Sequence, residues 1–195
     1  MGTAPRVVLL AAGASERLGE PKALVELGGT SALDRLLSAC GEDSPLVIAG
    51  AHYEELVSAA GDRAQVIRNS AWAAGRTGSV ARAVEHLGTQ DLIIAPADCP
   101  LVPARVFDAL REAWLEAGAP ARGWLAPLDK ESGRHGHPIC IGRGLAQEVA
   151  EMDPSEPLRH LRAHADPLLE VALDAPEVLD DLDTPEDLAR LRARL

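Results

Sequence analysis

One stretch of the chain joins small residues to isolated cations: Leu10, Ala11, Ala12, Gly13, Ala14, Ser15, Glu16, Arg17, Leu18, Gly19, Glu20, Pro21, Lys22. A loop of small residues at a strand end lets backbone amides approach an anion closely. Arg17 adds a planar fork suited to phosphate and Lys22 a point charge. Lys22 is one of only 2 lysines against 17 arginines, so its place in this loop is informative. The pattern is not a Walker loop, which needs Lys directly after its second glycine, whereas Lys22 follows Gly19 with Pro21 between them. Nor does the Gly13 to Gly19 spacing satisfy the dinucleotide fingerprint. The chemistry it suits is triphosphate binding, weighed against a solvated glycine-rich turn.

Outside this loop, acids and histidines fall at turn-like positions. Asp98 lies in PADCPLV directly after an apolar run, at a sheet-end position. Asp183 lies in LDTP ahead of a helix, where an Asp is ordinarily an N-cap. Arg134, His135 and His137 surround Gly133 and Gly136, and residues two apart on a strand share one face. Zinc needs at least three ligands and no cysteine lies near, so spacing alone leaves these histidines packed or solvated. Cys99 is a poor nucleophile, because Pro100 to Pro103 stiffen the segment where a phosphate-cradling loop would be needed. Cys40, Cys99 and Cys140 form no CxxC pair, which predicts buried thiols in a reducing compartment. Arg190, Arg192 and Arg194 spread around a helix and predict a solvated end.

These residues need a scaffold. Arg6 to Ala11, Leu46 to Gly50, Gln65 to Arg68 and Asp91 to Ala95 are short apolar runs, the pattern of strands buried on both faces. Helical spacing fills the gaps at Ser31 to Cys40, Tyr53 to Ala60 and Ser79 to Leu87, with Ser31 as N-cap and Gly41 as stop. Beyond Pro103, helices are predicted for Val106 to Ala117, Gly144 to Glu151 and Pro157 to His164. Strands are predicted for Gly123 to Leu128, His137 to Ile141 and Leu168 to Leu173. A last helix starts near Thr184 with Pro185 in its first turn. Strand alternating with helix is the pattern of right-handed βαβ units. The expectation is an α/β fold: a single Rossmann-like three-layer domain over residues 1–195 with a mostly parallel central sheet.

Composition sets limits. A chain of 195 residues, 47% hydrophobic and 25% charged, is long enough to bury a core and too apolar for disorder. Its 19 basic and 30 acidic side chains give a net charge of −11, the opposite of the basic face that holds duplex nucleic acid. No apolar run reaches the roughly 20 residues of a spanning helix, and Met1 to Ala12 lacks the cleavage site of a signal peptide. No nucleic acid, no membrane and a cytoplasmic location are expected.

The run LAAGASERLGEPKAL resembles the LAAGxSxRxGxxK signature of the MobA-like nucleotidyltransferases. Its Ala12 form is the one typical of molybdenum cofactor cytidylyltransferases. Asn69, Trp72, Gly75 and Ser79 in NSAWAAGRTGSV are similar to the family's stretch near base and sugar; GRHGHP resembles its GHP segment, and DLDTPEDL its DxDTPEDL. The resemblance implies transfer of CMP from CTP to the phosphate of a molybdopterin-type cofactor, with Mg2+ and release of pyrophosphate. It implies nucleotide binding by Leu10, Ala11, Ala12, Gly13, Ser15, Arg17, Lys22, Asn69, Gly75 and Ser79, with Arg17, Lys22 and Asp98 catalytic. It implies metal binding by Asp98 and Asp183, acceptor binding by Arg134, His135 and His137, and a molybdoenzyme as partner. Ala97 departs from the family's usual Gly, and Cys99 from its frequent Gln. The alternatives are a guanylyl- or sugar-phosphate nucleotidyltransferase, and a non-catalytic chaperone that carries the cofactor.

Overall fold

The computed structural model describes residues 3–41 and 44–195. Strand β1 (Arg6–Ala11) leads through the glycine loop into a hairpin of β2 (Glu26–Leu27) and β3 (Thr30–Ser31). Then come α1 (Ala32–Ala39), β4 (Leu46–Ala49), α2 (Tyr53–Ala60), β5 (Gln65–Arg68), α3 (Arg76–Leu87) and β6 (Leu92–Pro96). The second half adds α4 (Ala104–Glu116), β7 (Trp124–Asp129), β8 (Arg134–His135) and β9 (Ile139–Ile141). It closes with α5 (Arg143–Val149), β10 (Leu168–Leu173) and α6 (Pro185–Arg192).

The main sheet runs β10-β7-β9-β6-β1-β4-β5, with β8 attached to β7. It is parallel except around β9, which runs antiparallel to β6 and β7, and β8, antiparallel to β7. Strand β1 is central: Leu10 pairs with Ile48 of β4 on one side and with Pro96 of β6 on the other. From β1 the chain winds outward through β4 to β5, then crosses to β6. That reversal opens a crevice beyond the carboxyl ends of β1 and its neighbours, the usual ligand site of an open α/β sheet.

Alternation along the strands builds the layers. Val7, Leu9, Val47 and Ile93 turn to a core containing Leu33 and Leu36 of α1, Leu56 of α2 and Phe107, Leu110 and Trp114 of α4. Val8, Leu10, Ile48 and Ile94 turn to the other, which holds Val80 and Ala83 of α3 and Leu145 and Val149 of α5. A third apolar cluster joins Leu18, Val25 and Leu27 of the first loop and hairpin to Leu182, Leu188 and Leu191 around α6. Trp114 and Trp124 are buried, and Trp114 Nε1 donates to the Asp91 carboxylate at 3.0 Å. The three cysteines are buried thiols.

Ser31 caps α1 by accepting from the Asp34 amide, and Gly41 at φ +79° follows its end. Several expectations are corrected. Gln65–Arg68 forms an edge strand whose residues are exposed or half-buried, because no strand covers its outer side. Helix α3 begins at Arg76, three residues before the expected start; Thr77 and Gly78 are poor helix formers that mask its first turn. Residues Leu158–His164 form a 3-10 helix. Arg190, Arg192 and Arg194 are exposed, as a solvated end requires, yet Arg190 and Arg194 also reach Oδ1 of the buried Asp180, at 3.4 and 2.5 Å. The segment 137–138 is not a strand. His137 lies between β8 and β9, its amide donating to the Val178 carbonyl at 2.8 Å, so strand alternation with His135 does not apply. Among the described residues no helix is long and apolar enough to cross a membrane.

Candidate active site

The glycine loop is folded by its own backbone. Ser15 holds a left-handed φ of +58°, a conformation non-glycine residues adopt mainly where surrounding structure demands it. Its carbonyl accepts from the Leu18 and Gly19 amides at 3.1 and 3.0 Å, and its hydroxyl accepts from the Lys22 amide at 3.1 Å. The Ala51 amide holds the Ala12 carbonyl at 3.1 Å, and the Ala97 amide holds that of Leu10 at 3.0 Å. The loop is thereby tied to the ends of both strands that flank β1.

A cavity of about 270 Å³ opens there, lined by Leu10, Ala11, Ala12, Gly13, Ser15, Lys22, Gly75, Ser79 and Asp98. Two expected nucleotide residues stand apart from it. Asn69 is buried, with its Nδ2 donating to Ser79 Oγ at 3.1 Å and its Oδ1 accepting from the Ala71 amide at 3.0 Å; it braces the wall. Arg17 lies beside a flanking cavity of about 330 Å³ with Asp183.

Gly50 fixes the distance between loop and wall. A Cβ there would lie 2.3 Å from the Ala12 carbonyl oxygen and 2.6 Å from Trp72 Cβ. Gly50→Ala should therefore displace the loop, lowering stability by roughly 1–3 kcal/mol in urea unfolding. Nucleotide affinity, measured by titration, should fall with it.

Three carboxylates meet at the cavity's edge. Asp98, Asp181 and Asp183 each place an oxygen within 4.8 Å of the others. Leu182 is buried, while the acids on either side of it, Asp181 and Asp183, bring their carboxylates to Asp98. The Leu182 amide donates to the Asp98 carbonyl at 2.9 Å, and the Cys99 thiol donates to the Asp180 carbonyl at 3.1 Å, locking the two segments together. Burial and the neighbouring Asp98 charge push the Cys99 thiol up, so it stays protonated and structural.

Asp183 is not the cap of α6. Thr184 takes that place, accepting from the Asp187 amide in a reciprocal capping box. This frees the Asp183 carboxylate for cations: Lys22 Nζ donates to Oδ1 and Arg17 Nη2 to Oδ2, both at 2.5 Å. Burial alone would raise its pKa, but Lys22 and Arg17 hold it below the ordinary value. Asp181 is raised, by burial and then by the charges of Asp98 and Asp183. Lys22 Nζ is also 4.0 Å from Asp98 Oδ2, and Arg76 Nη2 donates to that same oxygen at 3.0 Å.

The capping box carries a pH dependence. The Arg190 hydrogen bond, with those from Thr184 and the amides of Asp183 and Thr184, outweighs burial and lowers Asp187 to about 2. A depressed carboxylate stabilises the fold above its unfolded pKa and loses that contribution as pH falls through the folded value. The α6 anchor should therefore weaken on acidification from about pH 4 toward pH 2. Melting curves should show this loss in the wild type and lack it in Asp187→Ala.

The donor set fits a divalent cation. Three carboxylates with no thiolate or imidazole among them are hard oxygen ligands, suited to Mg2+ or Mn2+. Burial is the first cause that raises Asp181, and the Asp98 and Asp183 charges that follow it are ones such an ion would neutralise.

Across the acid cluster lies a second cleft of about 240 Å³, into which Arg134, His135 and His137 converge with Arg76, Asp98 and Asp183. The structure thus brings the three expected acceptor residues together. His135 Nε2 contacts Glu170 at 3.0 Å. His137 Nδ1 is buried without a hydrogen-bond partner among the described residues. Burial and then the Arg76 charge lower its pKa, which keeps the ring neutral. Sequence reasoning missed Asp181 and Arg76. The alternation in DLDTPEDL could have revealed the first, whereas the second depends on where α3 starts.

A mostly parallel sheet, a glycine loop after its first strand and carboxylates at its rim together define a Rossmann-like nucleotidyltransferase fold. The chain belongs to the MobA-like NTP transferase domain family, whose model matches residues 7–173. Among solved structures it is similar to Rv0371c from Mycobacterium tuberculosis H37Rv, at 25% identity over 99% of each chain with a TM-score of 0.78. A manganese complex of Rv0371c matches at 23% identity over 99% of this chain and 100% of that one, with a TM-score of 0.76. Molybdopterin-guanine dinucleotide biosynthesis protein A from Archaeoglobus fulgidus matches at 18% identity over 97% of each chain, with a TM-score of 0.72. The synthetase of CMP:2-keto-3-deoxy-manno-octonic acid, complexed with CTP, matches at 15% identity over 98% of each chain, also with a TM-score of 0.72. No curated protein matches the chain.

Proposed function

We propose that residues 1–195 act as a single nucleotidyltransferase domain that moves CMP from CTP to the phosphate of a molybdopterin-type acceptor, with Mg2+ and release of pyrophosphate. The observation that carries this reading is Asp98, which lines both the glycine-loop cavity and the Arg134 and His135 cleft, with Asp181 and Asp183 beside it on the cleft side. Such a placement suits two phosphates brought together for in-line displacement.

Asp98 and Asp183 would hold the ion, with Asp181 beside them. When bound, a divalent ion neutralises charge on the reacting phosphate oxygens. The loop amides of Ala12 and Gly13 and the Lys22 and Arg17 side chains receive the triphosphate, the two cations passing from Asp183 to the departing pyrophosphate. Arg134 and His135 hold the acceptor's phosphate, and the neutral His137 offers a hydrogen bond without adding charge. An acceptor phosphate oxygen bonds to the α-phosphorus as the bond to pyrophosphate breaks, and pyrophosphate leaves with the electron pair. No protein nucleophile is required.

Cytidine is favoured by the Ala12 form of the loop, and CTP is the ligand of one structural neighbour. The molybdopterin acceptor rests on the motif resemblance, with a molybdoenzyme as recipient and the cytoplasm as the place of action. The net charge of −11 opposes binding to polymeric nucleic acid. Pyrophosphate release would be followed with Mg2+, each of the four nucleoside triphosphates, and molybdopterin or sugar phosphates. Release with CTP and molybdopterin is expected. Release with GTP or a sugar phosphate instead would support the related transferases, and tight pterin binding with no release would support a carrier.

A further inference from the structure

Arg76 occupies a place that its position in the sequence does not suggest. It opens α3 directly after Gly75, and the backbone around it is fixed. A Cβ on Gly75 would lie 2.3 Å from the Pro154 carbonyl oxygen, and Thr77 Oγ1 donates to the Glu156 carbonyl at 2.5 Å. The side chain, by contrast, is 51% exposed and reaches Asp98 Oδ2 at 3.0 Å. Beside the nucleotide cavity and the acceptor cleft lies a further cavity of about 440 Å³, bounded by Trp124 and Leu158. Among the described residues lining these three spaces, Arg76 alone is shared by all of them.

We propose that Arg76 is a catalytic residue whose guanidinium leaves Asp98 when a divalent cation arrives there and takes the phosphate being transferred. The inference rests on the nucleotidyl-transfer reading above. A guanidinium held at 3.0 Å on Asp98 Oδ2 competes with a metal ion for that carboxylate, and two cations on one carboxylate repel. The displaced group stays anchored by a rigid helix start where it lines both cavities, beside the place the transferred phosphate would occupy. Its planar donors match two non-bridging phosphate oxygens. Charge builds on those oxygens as the acceptor oxygen bonds to phosphorus and pyrophosphate departs with its electron pair. A guanidinium supplied there stabilises the transition state.

Arg76→Met and Arg76→Lys test this in the full chain, with circular dichroism to check folding. Because Arg76 competes for Asp98, Arg76→Met should bind Mn2+ alone severalfold more tightly by electron paramagnetic resonance. With Mn2+ saturating, its affinity for CMP should fall roughly tenfold to a hundredfold, while cytidine, which lacks the phosphate, should bind as it does to the wild type. Arg76→Lys should recover part of the CMP affinity. Unchanged Mn2+ affinity in Arg76→Met would overturn the exchange at Asp98, and equal losses for CMP and cytidine would overturn the phosphate contact. A wild type that binds none of the four nucleoside triphosphates would overturn the transfer reading itself. Nucleotide binding indifferent to Arg76→Met would overturn only the role of Arg76.

Discussion

Replacing Lys22 by alanine should lower nucleotidyl transfer by roughly a hundredfold or more while leaving the chain folded. Lys22 is held by backbone chemistry: its amide donates to Ser15 Oγ, and the Ser15 carbonyl accepts from the Leu18 and Gly19 amides of the same loop. Its ammonium reaches Asp183 at 2.5 Å across a separation of 161 residues. In the proposed transfer that charge would serve the triphosphate and then the leaving pyrophosphate, where further negative charge accumulates as the bond breaks. Truncation should therefore depress kcat and kcat/KM together. Mn2+ binding should survive, because removing a competing cation leaves the carboxylates more available. Loss of Mn2+ binding in Lys22→Ala would show that Lys22 supports the acid cluster and does not serve the phosphates.

Asp98→Asn should produce an equal or larger loss of turnover by the opposite route. Asparagine keeps the shape of the side chain but exchanges one acceptor oxygen for a donor and removes the charge that a divalent ion requires. Mn2+ binding should collapse with activity, and excess metal should restore neither. Arg76 and Lys22, which both face Asp98 Oδ2, would lose their common partner. The contrast between the two variants separates phosphate neutralisation from ion binding. Near-normal turnover in both would remove the mechanism.

Much of the scaffold was legible because its signals are local. Arg6–Ala11, Gln65–Arg68 and Leu168–Leu173 begin and end at the residues their apolar patterns mark. Ser31 and Gly41 marked the ends of α1 through chemistry confined to one turn. The two-residue strands β2, β3 and β8 are too short to show a period. The Gly28-Gly29 pair, with φ of +59° and +78°, was nonetheless a readable turn signal between β2 and β3. At the site, the glycine loop could be read because its residues are contiguous. The dual use of Asp98 by Lys22 and Arg76 could not, since it depends on the packing of α3 against the sheet. His137 was placed on a strand because the apolar run that follows it gives no sign of where pairing stops. The role of Arg190 and Arg194 was hidden because Asp180, their partner, is buried by tertiary contacts that a surface-like charge pattern does not reveal.

The small apolar cluster that joins Leu18, Val25 and Leu27 to Leu182, Leu188 and Leu191 places the beginning and the end of the chain in one structural unit. Lys22 and Asp183 meet only once that unit has closed, so the site is assembled by a contact of very long sequence separation. Long-range contacts of this kind form late and slowly during folding. A chain in which the central sheet has formed but the α6 segment has not docked would therefore lack the carboxylate pair Asp181 and Asp183 beside Asp98. Metal or nucleotide binding at the proposed site would then report completion of the whole fold, and any ligand that bridges Lys22 and Asp183 would act as a brace between the first loop and the α6 segment. At about a hundred times its Kd such a ligand adds roughly 2.7 kcal/mol to global stability, which makes the rise in melting temperature a direct reading of site occupancy.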